Sequence, residues 1–236
     1  MQNWQEIWEK RESSFDFANS TPLEVVKELR RVAGYDIVSG AIPDEAWDRQ
    51  FRLMLDKLSR YHEIHSLYEV GCGSGANLFL AKEHGITTVG GIDFSHAMLQ
   101  VLRRAIPEAA VEQGEAKNIT TTASYDAVIS SGVFIYFPNL DYAQRVLEKM
   151  VTMANHSLAL LEIYDEEQKE AWLEHRRQIQ PDYDQKYEGL NKLFYPRSFF
   201  EDFAREHNLE LRFTQNDLEG YWNNAFDFDV YLYKKD

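Results

Sequence analysis

A short apolar run that ends in three closely spaced glycines, Leu67 to Gly75 (LYEVGCGSG), constrains the fold of this chain more than any other segment. Leu67, Tyr68 and Val70 predict a buried strand, and the residues after Gly75 follow a helical pattern. Strand, glycine turn and helix in this order open a nucleotide-binding βαβ unit. Glycines let the backbone turn tightly and lie against a ligand, because no Cβ intervenes.

Two acidic residues accompany this turn. Glu69 lies inside the first strand, and Asp93 ends the next predicted strand, which begins at Thr88. A carboxylate at that position can accept hydrogen bonds from both hydroxyls of a ribose. The glycines by themselves are equally compatible with a dinucleotide site.

Four segments in order resemble the motifs of class I S-adenosylmethionine-dependent methyltransferases. They are EVGCGSG from Glu69, GIDFS from Gly91, GEA from Gly114 and YDAVISS from Tyr125. The resemblance covers residues 67 to 163. A dehydrogenase would normally carry G-x-G-x-x-G, whereas the third glycine comes one residue earlier here, which favours the methyltransferase.

The resemblance implies an α/β fold with a doubly wound, mostly parallel seven-stranded sheet that is Rossmann-like. We expect a C-terminal antiparallel hairpin from Leu209–Thr214 and Asp229–Tyr233. A single domain, 1–236, is expected, with these parts: an N-terminal helical cap (1–62), a cofactor-binding core (63–163), an insertion after strand five (164–195) and a C-terminal helix and hairpin (196–236).

The resemblance also implies S-adenosyl-L-methionine as the cofactor and S-adenosyl-L-homocysteine as its product. Asp93 would hold the ribose, while Phe94 and Met98 would lie on the two faces of the adenine. The other residues of the core expected to contact the cofactor are Glu69, Gly71, Cys72, Gly73, Gly75, Ser95, Gly114, Glu115, Ala116, Ser130, Ser131 and Gly132. In this family an acid at the position of Glu115 often accepts a hydrogen bond from the adenine amino group.

The N-terminal segment contains a tryptophan-rich amphipathic helix, since Trp4, Ile7, Trp8 and Arg11 are spaced as on one helical face. Related small-molecule enzymes close such a helix over the cofactor. By resemblance, Trp8 and Arg11 would contact it, and Arg11 could pair with the methionyl carboxylate. The alternative is a helix whose tryptophans are merely buried against the core.

An aromatic loop after the fourth strand, and the segment after the fifth, are where we expect the acceptor. Phe134 and Tyr136 would form the wall between cofactor and acceptor, and Tyr164 and Asp165 begin the insertion above it. The rings could instead pack on the next helix. The tyrosine-rich insertion is compatible with acceptor recognition and with the surface of a homodimer.

No catalytic residue can be named from the sequence. A general base is needed only for a hydroxyl or carbon acceptor, and the candidates are His156, Glu162, Asp165 and His175. Cys72 is expected to be structural, because a small side chain suits its position. The chain has no spacing typical of metal ligands, so we predict no metal site.

The composition limits the classes of partner that this protein is expected to bind. A formal net charge of −14 over 236 residues repels phosphate backbones, so nucleic acid is an unsuitable substrate. No apolar run approaches the roughly 20 residues that span a bilayer, the first residues lack an apolar signal core, and one cysteine excludes an internal disulfide. We therefore expect a cytoplasmic protein with no membrane partner.

The sequence thus predicts an enzyme that methylates a nitrogen or oxygen of a small molecule, in specialised metabolism. One alternative is a module that binds a nucleotide or S-adenosylmethionine without catalysis; a cavity filled by Phe134, Tyr136 and Phe137 would favour it. A nicotinamide-dependent oxidoreductase is the other alternative.

Overall fold

The fold is described from a computed structural model that covers residues 2–35 and 42–235. Within these residues, seven strands form one sheet. The strands are β1 (Ser66–Val70), β2 (Thr88–Asp93), β3 (Ala110–Gln113), β4 (Tyr125–Ser131), β5 (Ala154–Tyr164), β6 (Leu209–Gln215) and β7 (Asp227–Lys234). The predicted first strand and its glycine turn lie in the middle of this sheet.

The strand order is β3-β2-β1-β4-β5-β7-β6. Strands β1 to β5 pair in parallel, and β7 runs antiparallel to both β5 and β6. The predicted doubly wound sheet with a C-terminal antiparallel hairpin is therefore confirmed. The chain winds outward from β1 to β3 and then returns to β4, so the carboxyl ends of β1 and β4 form the point where such sheets bind ligands.

Helices cover both faces of the sheet. They are α1 (Gln2–Trp8), α2 (Pro22–Arg30), α3 (Asp44–Leu58), α4 (Ala76–Glu83), α5 (His96–Ala105), α6 (Leu140–Met153), α7 (Lys169–Ile179), α8 (Tyr183–Lys186) and α9 (Arg197–Glu206). Alternate strand residues separate two cores. Leu67 and Ile129 pack with α3, α4 and α5, whereas Tyr68 and Val128 pack with α6 and α9.

The sequence predicts a helix that has Thr21 as its N-cap and Pro22 in its first turn; helix α2 begins there but ends earlier than predicted. The Thr21 hydroxyl and the Glu24 carboxylate form a capping box around Pro22. The helix was expected to continue to about Ala33. It ends at Arg30 instead and passes into a wider π-type turn, in which Gly34 adopts φ 91°. This turn brings Tyr35 toward the carboxyl edge of the sheet.

The N-terminal segment is attached to the start of α5. The Glu9 carboxylate accepts hydrogen bonds from the backbone N–H groups of His96 (2.9 Å) and Ala97 (3.2 Å), and the Ser95 hydroxyl donates to the Trp8 carbonyl at 3.3 Å. These contacts hold α1 across the carboxyl ends of the strands.

The segment between β5 and α9 contains α7 and α8 and has an aromatic core of its own. Trp172 and Tyr183 pack there with Ile135, Tyr164 and Phe194. The spacing of Ala171, Trp172 and Ile179 predicts a helix in the first half of this insertion, and α7 confirms it. No helix within the described residues is long and apolar enough to cross a bilayer.

Candidate active site

Two of the three turn glycines face a cavity, and the third does not. Gly71, Gly73 and Gly75 have φ values of 74°, 51° and 89°, a region that side-chain-bearing residues rarely adopt. Gly71 and Gly73 line the cavity. Gly75 lies against α5, where a Cβ would be 2.6 Å from Leu102 Cγ. The third glycine was expected to contact the cofactor, but its place is explained by close packing of α4 on α5.

The cavity opens at the carboxyl ends of β1, β2 and β4 and has a volume of about 290 Å³. Its first half lies along the glycine turn and contains Glu69 and Asp93. Its second half extends under the aromatic loop to the insertion, where Tyr164, Trp172 and Lys192 line it. A single cavity thus joins the predicted cofactor region to the predicted acceptor region.

Asp93 lies at the end of β2 and is held by backbone groups. Its Oδ2 accepts from Gly73 N–H and its Oδ1 from Ser95 N–H, both at 2.8 Å. Each oxygen keeps a further lone pair for a ligand hydroxyl. Burial raises the pKa of Asp93 to about 6, although the two backbone hydrogen bonds act in the opposite direction.

Glu69 belongs to a buried polar network that the sequence did not reveal. Asn77 Nδ2 donates to Glu69 Oε1 at 2.7 Å, and Arg30 Nη2 donates to Asn77 Oδ1 at 2.6 Å. Glu69 Oε2 and Arg30 Nε are buried and lack hydrogen-bond partners among the described residues. Burial raises the pKa of Glu69 to about 8, opposed by Asn77 and by the charge of Arg30.

Arg30 is a site residue that pattern reasoning missed. Its side chain is 6% exposed and lines the cavity, with its guanidinium 4.4 Å from the ring centroid of Trp47. A signal was present, because Arg30 lies four residues after the buried Val26 and therefore on the apolar face of α2. A charged residue on such a face needs a partner or a ligand.

The predicted adenine end is lined by small and apolar residues. Phe94, Met98, Gly114 and Ala116 all line the cavity. Glu115 does not. Its side chain is 41% exposed, and its carboxylate pairs with Lys117 at 2.9 Å. The structure therefore places the Glu115 carboxylate at the surface, in an ion pair and outside the cavity lining where the contact with the adenine amino group was expected.

Two serines expected at the cofactor have structural partners instead. Ser95 Oγ accepts from Met98 N–H at the start of α5, and Ser130 Oγ donates to the Val70 carbonyl at 2.9 Å. Neither side chain lines the cavity, whereas Ser131 and Gly132 do. Ser130 therefore joins β4 to β1 rather than facing the ligand.

Cys72 lines the cavity as part of the turn, but its thiol is buried. Burial raises the pKa of the thiol well above its usual value. A Cβ on Gly91 would lie 2.8 Å from Cys72 Cβ and 2.9 Å from its Sγ, so Cys72 packs directly on the glycine backbone of β2. This environment agrees with a structural role for the side chain.

Trp8 and Arg11 also line the cavity, from the N-terminal segment. The Arg11 guanidinium carbon is 5.9 Å from the Trp8 ring centroid, and its Nη2 would be 3.5 Å from a Cβ on Gly34. Two arginines, Arg11 and Arg30, thus approach the same part of the cavity from different segments.

Of the four residues expected at the acceptor, two line the cavity and two do not. Tyr136 and Tyr164 line it. Phe134 is 1% exposed and packs in the core against Phe137, because the short helical turn after β4 points it inward. The Asp165 carboxylate accepts hydrogen bonds from Arg197 Nη2 at 3.0 Å and from Glu167 N–H. These contacts hold the loop after β5, and the side chain does not line the cavity.

Among the four base candidates, only Glu162 lines the cavity. It is 5% exposed and accepts hydrogen bonds from the hydroxyls of Tyr35 and Tyr221, the second at 3.2 Å. Its φ of 59° coincides with the break in β5–β7 pairing between Leu160 and Ile163. Such an irregularity re-aims a side chain. Burial raises the pKa of Glu162, and the Tyr35 hydrogen bond opposes this.

The two histidines lie elsewhere. His156 stacks on His62 at the opposite end of β5, and His175 stacks on Trp222 outside the cavity lining. No group of three potential metal ligands occurs in the part of the chain that the structure describes.

Comparisons with known proteins agree with this fold. Residues 67–157 match the family model of a methyltransferase domain. A segment of 73 residues is 36% identical to dTDP-3-amino-3,4,6-trideoxy-alpha-D-glucopyranose N,N-dimethyltransferase of Streptomyces venezuelae. That alignment covers 30% of this chain and spans 30% of the length of this curated relative.

Solved structures are similar over nearly the whole chain. Magnesium protoporphyrin IX methyltransferase from Synechocystis PCC 6803, with bound SAH, has a TM-score of 0.61 at 15% identity, covering 93% of this chain and 97% of the other. An amino pentose methyltransferase from Micromonospora echinaspora, with bound SAM, has a TM-score of 0.60 at 13% identity, covering 94% and 100%. These similarities concern the fold.

The ordered motifs, the strand order and the match over residues 67–157 lead to the same assignment. Residues 67–157 thus carry a methyltransferase domain, and the chain has a fold similar to that of the methyltransferases compared above.

Proposed function

We propose that this protein transfers a methyl group from S-adenosyl-L-methionine to a nitrogen or oxygen atom of a small-molecule acceptor, in specialised metabolism. The observation that carries the proposal is the pair of buried carboxylates, Glu69 and Asp93, on either side of the glycine turn in one cavity. Their positions suit the amino-acid and ribose ends of this cofactor.

The residues present fit the cofactor at three places. Asp93 keeps free lone pairs for the ribose hydroxyls. Glu69 Oε2 and Arg30 Nε are buried and unpartnered within the described chain, and they suit an ammonium and a carboxylate respectively. Buried polar atoms without partners are unfavourable, so a zwitterionic ligand end would satisfy both.

When bound, the cofactor would supply an activated methyl group on its sulfonium sulfur. The chain's residues bind both molecules, align them and exclude water. Trp8 and Arg11 cover the cofactor end, and Tyr136 and Tyr164 line the side toward the acceptor.

We assign Glu162 the role of general base, which accepts the proton that a hydroxyl or a protonated amine must lose. Its carboxylate lines the cavity, and burial raises its pKa, which makes it a stronger base than an exposed carboxylate. The Tyr35 and Tyr221 hydroxyls orient the carboxylate. A positive φ in a non-glycine residue within a strand is unfavourable, and such strain concentrates at functional sites.

The continuous cavity supports an enzyme over a binding module. Phe134 packs into the core, so the space beneath the aromatic loop stays open toward Trp172. The names of the compared proteins, which act on an amino sugar nucleotide, a porphyrin and an amino pentose, support a small-molecule acceptor. The net charge of −14 argues against nucleic acid.

Calorimetry with S-adenosylmethionine, S-adenosylhomocysteine and NADH tests the cofactor. We expect the first two to bind at micromolar concentration and NADH to bind at least tenfold more weakly. Failure of both adenosyl ligands to bind at high micromolar concentration would overturn the proposal. Incubation with methyl-labelled cofactor and acceptor mixtures, read by mass spectrometry, then tests transfer and separates the enzyme from the binding module.

A cytoplasmic location and a homodimer formed through the insertion remain part of this proposal. Light scattering on the purified protein measures the second, and a monomer at micromolar concentration would remove it.

A further inference from the structure

The part of the cavity beneath the insertion contains two positively charged side chains, Lys192 and Arg176. Both come from the segment between β5 and α9. Neither has a carboxylate oxygen within 4 Å in the described residues 2–35 and 42–235. Arg176 is buried and Lys192 is partly buried. Cations removed from water without an opposite charge beside them are strongly unfavourable, so their presence together in one cavity requires an explanation.

Arg176 is held by aromatic rings rather than by acids. Its side chain is 9% exposed, and its guanidinium carbon is 4.9 Å from the ring of Tyr183 and 5.4 Å from that of Trp222. Nη2 donates to Gln180 Oε1 at 3.3 Å, and Nε is buried with no partner in the described chain. The rings fix the plane of the guanidinium and leave part of its donor set unused.

Lys192 lies on two aromatic faces from other segments. Its Nζ is 3.4 Å from the ring centroid of Tyr136 and 4.3 Å from that of Trp4. Burial and the nearby charge of Arg176 lower the pKa of Lys192 well below its usual value, and Glu162 only partly opposes this. An anion bound between the two cations would remove their mutual repulsion.

We propose that the methyl acceptor is a small anion with a flat apolar body that packs against aromatic rings, and that its carboxylate or phosphate group binds Lys192 and Arg176. This inference rests on the proposed function, since it assigns the substrate class of the same cavity. The acceptor would lie with its anionic group under the insertion and its nucleophilic atom near Glu162. Because Glu162 lines the same cavity, it can take the proton from that atom.

The net charge of the whole chain makes a local cationic site necessary if the acceptor is an anion. A protein of net charge −14 repels anions at long range. Two cations enclosed by Tyr136, Tyr183 and Trp222 provide a local site for an anion, and planar rings favour an acceptor with a flat apolar body. A cationic amine would meet Lys192 and Arg176 in the same space.

The test uses the full chain saturated with S-adenosylhomocysteine and follows tryptophan fluorescence, because Trp4, Trp172 and Trp222 line the cavity. The probes are benzoate, phenyl phosphate, phenol and benzylamine. We expect at least one of the anions to bind tenfold or more tightly than phenol and benzylamine. Which anion binds better distinguishes a carboxylate from a phosphate acceptor.

Variants assign the binding to the two cations. Lys192→Met and Arg176→Met should each weaken the better anion at least tenfold and change phenol binding less than threefold. Lys186 and Arg177 are exposed residues of the same insertion that do not line the cavity. Lys186→Met and Arg177→Met are therefore matched controls, expected to change anion binding less than threefold.

The alternative role of Lys192 is to join α1 to the insertion without binding an anion, and Lys192→Arg separates the two roles. Retained anion binding within threefold in Lys192→Arg, with loss in Lys192→Met, supports the proposal. Unchanged anion binding in the methionine variants, or equal binding of phenol and the anions by the wild type, overturns it. Affinity for S-adenosylhomocysteine is measured separately, so failure of the cofactor proposal is distinguishable from failure of the anion site.

Discussion

The side-chain amide of Asn77 donates to the Glu69 carboxylate at 2.7 Å and so joins the first turn of α4 to the strand that precedes it. Asn77 also accepts from Arg30 at 2.6 Å. One amide therefore links an acid and a base that both line the same cavity. We expect this arrangement to recognise the two charged groups of an amino acid.

Replacement of Arg30 tests this expectation. Arg30→Met should weaken S-adenosylhomocysteine at least tenfold, because the methionyl carboxylate would lose its partner. It should change the affinity for 5′-methylthioadenosine, which lacks the amino-acid part, less than threefold. Calorimetry measures both. Equal weakening of the two ligands would show that Arg30 acts only through packing on Trp47.

Asp93→Asn should weaken both ligands at least tenfold, since both contain the ribose. The amide would also place an NH₂ against either Gly73 N–H or Ser95 N–H, which now donate to the carboxylate. Asp126 is the matched control, because it accepts from His65 N–H and Ser66 N–H at the start of β1, away from the cavity. Asp126→Asn should lower thermal stability while leaving both affinities within twofold.

The affinity for S-adenosylhomocysteine should increase with pH between pH 6 and pH 8. In the free protein the pKa of Glu69 is about 8 because of burial, so the carboxyl is mostly protonated at neutral pH. A bound ammonium needs the carboxylate, and the proton must leave on binding. By linkage, Kd falls by up to about tenfold per pH unit in this range.

Calorimetry from pH 6 to pH 8 checks this dependence, and buffers of different ionisation enthalpy count the proton released. Glu69→Gln should bind more weakly with a nearly flat profile above pH 7. A wild-type Kd that is constant from pH 6 to pH 8 would contradict the assigned pairing of Glu69 with the ligand's ammonium.

The sheet was predictable because its signals are local. An apolar strand, a glycine turn and Asp93 follow each other within a few dozen residues, and such periodic elements can be identified from short windows. The ends of β5 were harder to predict: the sequence pattern predicts a strand from His156 to Ile163, whereas β5 spans Ala154–Tyr164. Helix α2 ended early because the π-type turn at Gly34 is set by tertiary contacts with Trp8.

The acceptor half was harder to predict because it is assembled from distant segments. Tyr35, Glu162 and Tyr221 meet at one carboxylate, and no spacing in the sequence indicates that contact. The irregularity in β5 that turns Glu162 into the cavity also has no sequence signature. Phe134 is the opposite case, a residue that was predicted at the site but lies in the core. One turn of helix after β4 is enough to bury an aromatic side chain of this loop.

The third glycine of the turn gives a stability prediction. Gly75 and Gly85 have similar φ values of 89° and 86°, but a Cβ on Gly75 would lie 2.6 Å from Leu102, whereas a Cβ on Gly85 meets nothing within 4 Å. Gly85→Ala should reduce the free energy of unfolding by about 1 kcal/mol. Gly75→Ala should reduce it by an additional ~1–3 kcal/mol from overpacking. Urea denaturation at fixed pH measures both; equal losses would refute the packing role.

The attachment of α1 predicts how fast the cofactor leaves. The Glu9 carboxylate accepts from two N–H groups at the start of α5, and a helix N-terminus favours an anion by about 0.3–1 kcal/mol. Glu9→Gln should therefore raise the dissociation rate of S-adenosylhomocysteine about two- to fivefold, since Trp8 beside it covers the cavity. Stopped-flow tryptophan fluorescence measures this rate.

Glu6 is exposed on the same helix, and Glu6→Gln, which removes the same charge, should leave the rate within 1.5-fold. If both variants release the ligand equally fast, the effect comes from helix charge and the Glu9 contact does not hold the lid closed.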